Sequence, residues 1–202
     1  MKEKVAYIIS VIFIVPIVAI MVLLIMWYDN STANFNDNIY YLVNSIIFFT
    51  VIPTSAYIVV RSNPNLKIGG RNIERKMAFI FALIGYILGN LSLLIMKRPT
   101  KPMIIFYLSY LISATILAII NKFFNFKASG HACGITGPIL ALNFFTGPKM
   151  IWMFLLVPLV IWSRVVLKRH DMKQLIVGAA VSFFSTLLII FAVVALTGII
   201  CS

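Results

Sequence analysis

The sequence predicts an all-α protein, a polytopic transmembrane helical bundle of about seven helices. Three observations predict it. The 202-residue chain is 62% hydrophobic and only 11% charged, and its mean hydropathy is +1.05. A soluble domain of this size has no interior large enough to hide that much apolar surface. The apolar residues also gather into runs about as long as a bilayer is thick, separated by short polar stretches that hold the charges. No internal repeat, low-complexity tract or long linker divides the chain, so residues 1–202 are expected to form one integral membrane domain.

The first apolar run covers residues 5–28, after Lys2 and Lys4. It is too long for the core of a signal peptide, and no small-x-small cleavage site precedes Asp29, so a retained helix is expected. Helices over 41–60, 77–96 and 103–120 follow. The fifth and sixth, 129–145 and 150–167, are short for membrane spans, and the seventh covers 174–200. Pro16, Pro53, Pro138 and Pro158 fall inside these runs. Each removes a backbone donor, and a packed bundle tolerates the resulting kinks. Thr146-Gly147-Pro148 is a tight turn, so the fifth and sixth helices should form an antiparallel hairpin.

Charge orients the bundle. The net charge is +12, from 17 basic and 5 acidic residues. In a greasy chain this points to topology and anionic headgroups rather than nucleic acid. If the N-terminus is inside, thirteen of the 17 bases lie in the inner segments: the N-terminus, 61–76, 121–128 and 164–173. Only Lys97, Arg98, Lys101 and Lys149 lie outside, and residues 29–40 carry Asp29 and Asp37 with no base. The positive-inside rule therefore predicts a multi-pass cell-membrane protein with a cytoplasmic N-terminus. Lys97, Arg98 and Lys101 break the pattern. Cys133 and Cys201 fall at opposite ends of their helices, a bilayer apart, so no disulfide between them is expected.

Two polar islands interrupt the apolar pattern. One is Lys127-Ala128-Ser129-Gly130-His131, and the other is Ser163-Arg164, then His170, then Gln174. Both histidines of the chain lie here, and helix counting puts both islands on the cytoplasmic face. The chemistry suits a phosphate. A helix start at Ser129 and Gly130 offers unpaired N–H groups and a positive dipole end. Arg164 brings a planar fork of donors, and Lys127 a mobile charge. Of two imidazoles, one can attack phosphorus while the other protonates the leaving oxygen. Gln174, one helical turn beyond His170, can accept an imidazole N–H and aim the ring, unless Asp171 does so from the loop. No residues have metal-ligand spacing, so neither a metal nor another cofactor is expected. Taken singly, these features read as interfacial histidines, a positive-inside anchor and a helix cap. Their order, spacing and shared face jointly point to a phosphoryl site.

At these residues the chain resembles the type 2 phosphatidic acid phosphatase superfamily. Ala128-Ser129-Gly130-His131 is similar to that family's second signature, Pro-Ser-Gly-His. Ser163-Arg164 and His170 are similar to the third, with Gln174 where the family has Asp. The first signature, a Lys followed seven positions later by Arg-Pro, does not carry over. Arg98-Pro99 is the one Arg-Pro pair, Leu91 stands where the Lys belongs, and Arg98 falls on the other face. Lys127, or the inner loop with Arg71, Arg75 and Lys76, could supply that charge. The run Ser163-Arg164-Val165 with His170 and Gln174-Leu175 looks like dolichyl-diphosphatase-like members. The resemblance covers residues 127–180. It implies a six-helix phosphatase-like core plus one helix, and metal-independent hydrolysis of a lipid phosphate or diphosphate, with polyprenyl lipids favoured. The residues themselves suggest a phosphohistidine at His170, which alone has a possible orienting partner in Gln174, with His131 as acid at a helix start whose dipole disfavours a permanent imidazolium unless phosphate is bound. Phosphotransfer to another lipid or sugar, or headgroup binding without catalysis, are the alternatives. The expected partners are a lipid phosphate substrate and membrane lipids.

Overall fold

A computed structural model describes residues 1–196; the expected end of the last helix at residue 200, and Cys201, lie outside the described residues. Every regular element among the described residues is helical. Among the described residues, six runs are long and apolar enough to cross a membrane. The fifth, Gly130–Val166, folds back on itself. The chain therefore traverses the bundle seven times, as the hydropathy pattern predicts.

The first apolar run departs from expectation. It is two helices, α1 (Lys2–Ile12) and α2 (Val15–Phe35), broken at Phe13 and Ile14. Ile14 is extended, with φ −67° and ψ 149°, and Pro16 sits in the first turn of α2. A proline there suits a helix start and cannot continue the helix before it. α1 packs along the helix that carries Arg164 instead of extending α2.

The next crossing, Ile39–Ser62, joins α3 (Ile39–Ile46) and α4 (Ile52–Ser62) through a π-helical stretch, Ile47–Val51. That stretch precedes Pro53, whose missing N–H loosens the ladder. A short helix, α5 (Pro64–Ile68), leads to α6 (Gly70–Ile95) and α7 (Lys101–Phe123). Asn36 donates to the Arg98 carbonyl and Thr100 to that of Asn34, and Lys149 lies 3.4 Å from Asp29. These contacts gather residues 29–37, 97–101 and 147–150 at one end of the bundle. Residues 61–76, 121–128 and 164–173 lie at the other end, so Arg98 is remote from both polar islands.

The hairpin combines α8 (Gly130–Thr146), a 3₁₀ stretch (Gly147–Leu155) and α9 (Leu156–Val166). The 3₁₀ stretch explains how a short segment crosses. Rising about 2.0 Å per residue rather than about 1.5 Å, it gains several ångströms of length. α8 is the central helix. Eleven of its 17 residues are buried, so its first turn opens into the bundle rather than onto its outside. α10 (Met172–Leu196) packs most extensively against it. Gly137 makes this close packing possible, since a Cβ there would collide with Ser182, and Gly134 likewise lets Val15 of α2 approach α8.

Candidate active site

Both polar islands meet at the start of α8. Ser129 is its N-cap; its hydroxyl accepts from Ala132 N–H at 3.4 Å, and its own N–H donates to the Gln174 carbonyl at 3.0 Å. A Cβ on Gly178 would strike the Ser129 backbone, so glycine lets α10 dock directly on this helix start. The first turn of α8 and the first turn of α10 are thereby locked together.

The second island is a helix end, a reversal and a helix start. Arg164 lies in the last turn of α9. Lys168 takes a left-handed conformation, φ 51°, and Arg169 N–H closes on the Arg164 carbonyl at 3.0 Å. The reversal throws His170 back into the protein, where it is 8% exposed. Asp171 then caps α10, accepting Gln174 N–H at 2.8 Å. That settles which residue meets the imidazole. Gln174 Oε1 lies 2.8 Å from His170 Nδ1, while Asp171 is occupied with its backbone cap. With Nδ1–H donated to the amide, Nε2 carries the free lone pair.

Gly130, His131, Arg164 and His170 line one cavity of about 400 Å³. His131 is half-buried, faces the Ser10 backbone and lies within electrostatic range of His170 and Arg164. Ser129 and Ser163 do not line it: the first caps α8, and the second donates to the Val160 carbonyl at 2.7 Å. Lys127 is exposed and off the cavity wall, though its charge reaches His170. Arg75 and Lys76, from the other loop considered for the missing charge, do line it, with Asn72 beside them.

Ser10 was not legible as a site residue. Its hydroxyl accepts from Arg164 Nη1 at 2.7 Å and from Arg169 Nη1 at 3.1 Å. The break after α1 brings it there. A lone serine in an apolar helix carries no sequence signal for this role.

The electrostatics are one-sided. Arg71, Arg75, Arg164 and Arg169 lie within range of one another, and Arg164 is 3% exposed. Among the described residues, the ion pairs are Arg61–Glu74 and Lys149–Asp29, so no carboxylate answers this cluster. Arg164 Nε and Arg169 Nε are buried without a partner. Uncompensated buried charge is costly, and an anion would relieve it. His170 lies outside the membrane-spanning runs. Burial lowers its pKa, the Gln174 bond partly offsets this, and the charges of Arg164, Arg75 and Lys127 lower it further. A neutral imidazole at neutral pH results. Among the described residues no group of three or more His, Cys, Asp or Glu could hold a metal ion.

Comparison with family models, with characterised proteins and with solved structures finds no match to this chain.

Proposed function

We propose that this protein is a membrane-embedded phosphatase that hydrolyses a lipid phosphate or diphosphate, with a prenyl lipid favoured, through a phosphohistidine. One observation carries the proposal. Two histidines and a buried, half-unpaired arginine converge with a helix N-terminus on one cavity, and among the described residues no carboxylate pairs with them. A dianionic phosphoryl group fits that charge and that donor set.

The chemistry follows from the atoms. His170 Nε2 attacks phosphorus while Gln174 holds Nδ1–H. The bond from phosphorus to the lipid-side oxygen breaks, and His131 gives that oxygen a proton. Water then attacks the phosphohistidine, His131 takes its proton, and inorganic phosphate leaves. Arg164 Nε and the N–H groups of the first turn of α8 hold the charge that grows on the phosphoryl oxygens. Arg75 and Lys76 draw the headgroup in. Transfer to an alcohol would use the same first step. On the asymmetry of basic residues, we place the site on the cytoplasmic face and the N-terminus with it.

Phosphate release from farnesyl diphosphate, phosphatidate and phosphatidylglycerophosphate by the purified protein in detergent with EDTA tests this. Release that wild type supports and His170→Ala abolishes is expected, with an acid-labile, base-stable phosphoenzyme in wild type alone. Loss of all release in EDTA, restored by a divalent ion, would overturn it. Label recovered in His170→Ala on His131 would reverse the two roles.

A further inference from the structure

We infer that the cavity is a blind well for one short hydrocarbon chain, and that its aromatic floor limits the substrate to chains of about farnesyl or geranylgeranyl length. This rests on the phosphatase reading for the headgroup and goes beyond it for the tail.

The well opens at the charged end. Its exposed lining residues are Asn72, Arg75 and Lys76, whereas Pro16, Tyr86, Tyr110, Pro138 and Ser182 deeper in are all buried. Tyr86 lies eleven residues past Arg75 on α6, and Tyr110 eleven residues before Asn121 on α7. At about 1.5 Å per residue the floor is about 16 Å from the mouth. That is roughly half the ~30 Å thickness of a hydrocarbon core.

The walls between are mostly apolar, and small residues (Ala82, Ala114, Gly134) leave the space open. A volume of about 400 Å³ suits a single drug-sized chain. It does not suit two acyl chains or a carrier polyprenol. The floor is stiff. Phe49 stacks on Tyr86 with ring centroids 5.3 Å apart and meets Tyr110 at 5.1 Å, and Tyr86 meets Tyr110 at 5.1 Å. Phe106 and Tyr107 back this layer at 5.2 and 4.6 Å from Phe49. Ser109 and Tyr110 line this end of the cavity, with their hydroxyls buried and without partners. A tail entering the well leaves other hydrocarbon, not water. Chain discrimination therefore comes from what does not fit.

The test is binding of phosphonates carrying butyl, geranyl, farnesyl, geranylgeranyl or undecaprenyl chains, and of a dioleoyl phosphatidate analogue, to the purified protein in detergent. Geranyl to geranylgeranyl should bind alike. The undecaprenyl and two-chain ligands should bind about ten- to hundredfold more weakly, the range expected for over-packing. Tyr86→Ala should raise the affinity of a pentaprenyl phosphonate, one isoprene unit longer than geranylgeranyl, while undecaprenyl stays excluded by Phe49, Phe106 and Tyr107 behind it. If that variant does not fold, Ala82→Leu gives the opposite test. It should lower the farnesyl-to-butyl affinity ratio by about tenfold. Equal binding of farnesyl and undecaprenyl phosphonates, an unchanged ratio in Ala82→Leu, or no binding of any chain would overturn the inference. The two proposals fail separately. A chain-length cutoff without phosphate release would sink the phosphatase alone, and release with a flat length profile would sink the well alone.

Discussion

Arg164→Lys separates a phosphate clamp from a topology anchor. Lysine keeps the positive charge at the membrane surface, so insertion and orientation should be unchanged. It replaces a planar fork by one point charge. In the structure Nη1 of Arg164 is taken by Ser10 at 2.7 Å, and Nε is buried with no partner. Nε and the second terminal nitrogen are thus the edge left for an anion. A single lysine ammonium cannot hold Ser10 and also present two parallel donors. A hydrogen bond involving a charged group contributes about 1.5–3 kcal/mol, so losing one arm lowers kcat/KM by about 10- to 150-fold. The assay is phosphate release from farnesyl diphosphate in detergent, with thermal unfolding measured on the same sample. Turnover within about threefold of wild type, from a variant unfolding at the wild-type temperature, would refute the clamp. A fall in turnover that tracks a fall in stability would assign Arg164 to packing alone.

The remaining predictions use other contacts. Because burial holds the His170 pKa down, the acid limb of kcat/KM should lie below the ordinary histidine value of about 6.5. Gln174→Ala removes the bond that favours the imidazolium and should move this limb to lower pH, whereas Arg75→Gln removes a like charge and should move it up. The same depression makes the unfolded chain take up the proton first. His170's contribution to stability is therefore complete above about pH 6.5 and falls as pH drops from there through the folded pKa, which urea titrations of wild type and His170→Gln would show. Ser10→Ala should cost about 1–3 kcal/mol of stability by leaving one buried and one half-buried guanidinium arm without an acceptor, read from thermal unfolding. Cysteines replacing Asn125 and Lys97 should be labelled from opposite sides in intact cells. Labelling of both by an impermeant reagent would overturn the topology.

Much of the site was legible because its residues break local patterns. Ser129, Gly130 and His131 stand at a helix start, and Arg164, His170 and Gln174 keep spacings that survive folding because they span one helix end and one turn. The His170–Gln174 contact is an (i, i+4) pair, and secondary structure alone places it. Lys127 illustrates the reverse. A basic residue beside a signature reads as part of it, yet a lysine in an exposed loop can turn away, and it does. Arg75 and Lys76 are remote in sequence from both islands and carry no spacing that ties them to the histidines. Their place on the cavity depends on how α6 packs against α4 and α7. Ser10 was invisible for a related reason: one proline changed a long apolar run into two helices and redirected α1 onto α9.

Composition and periodicity by themselves determined the helical membrane class, the seven crossings, the antiparallel hairpin and the gathering of both polar islands at one end. Bilayer thickness allows little else for an alternating pattern of apolar runs and charged loops. Only the tertiary structure decided which cations line the cavity, that Ser10 holds two arginines, and that the space above the histidines ends on Tyr86 and Tyr110, with Phe49 behind them. Those outcomes depend on helix rotation and on kinks at single residues. Within lipid one apolar face of a helix is as soluble as another, so hydropathy does not encode which face turns inward.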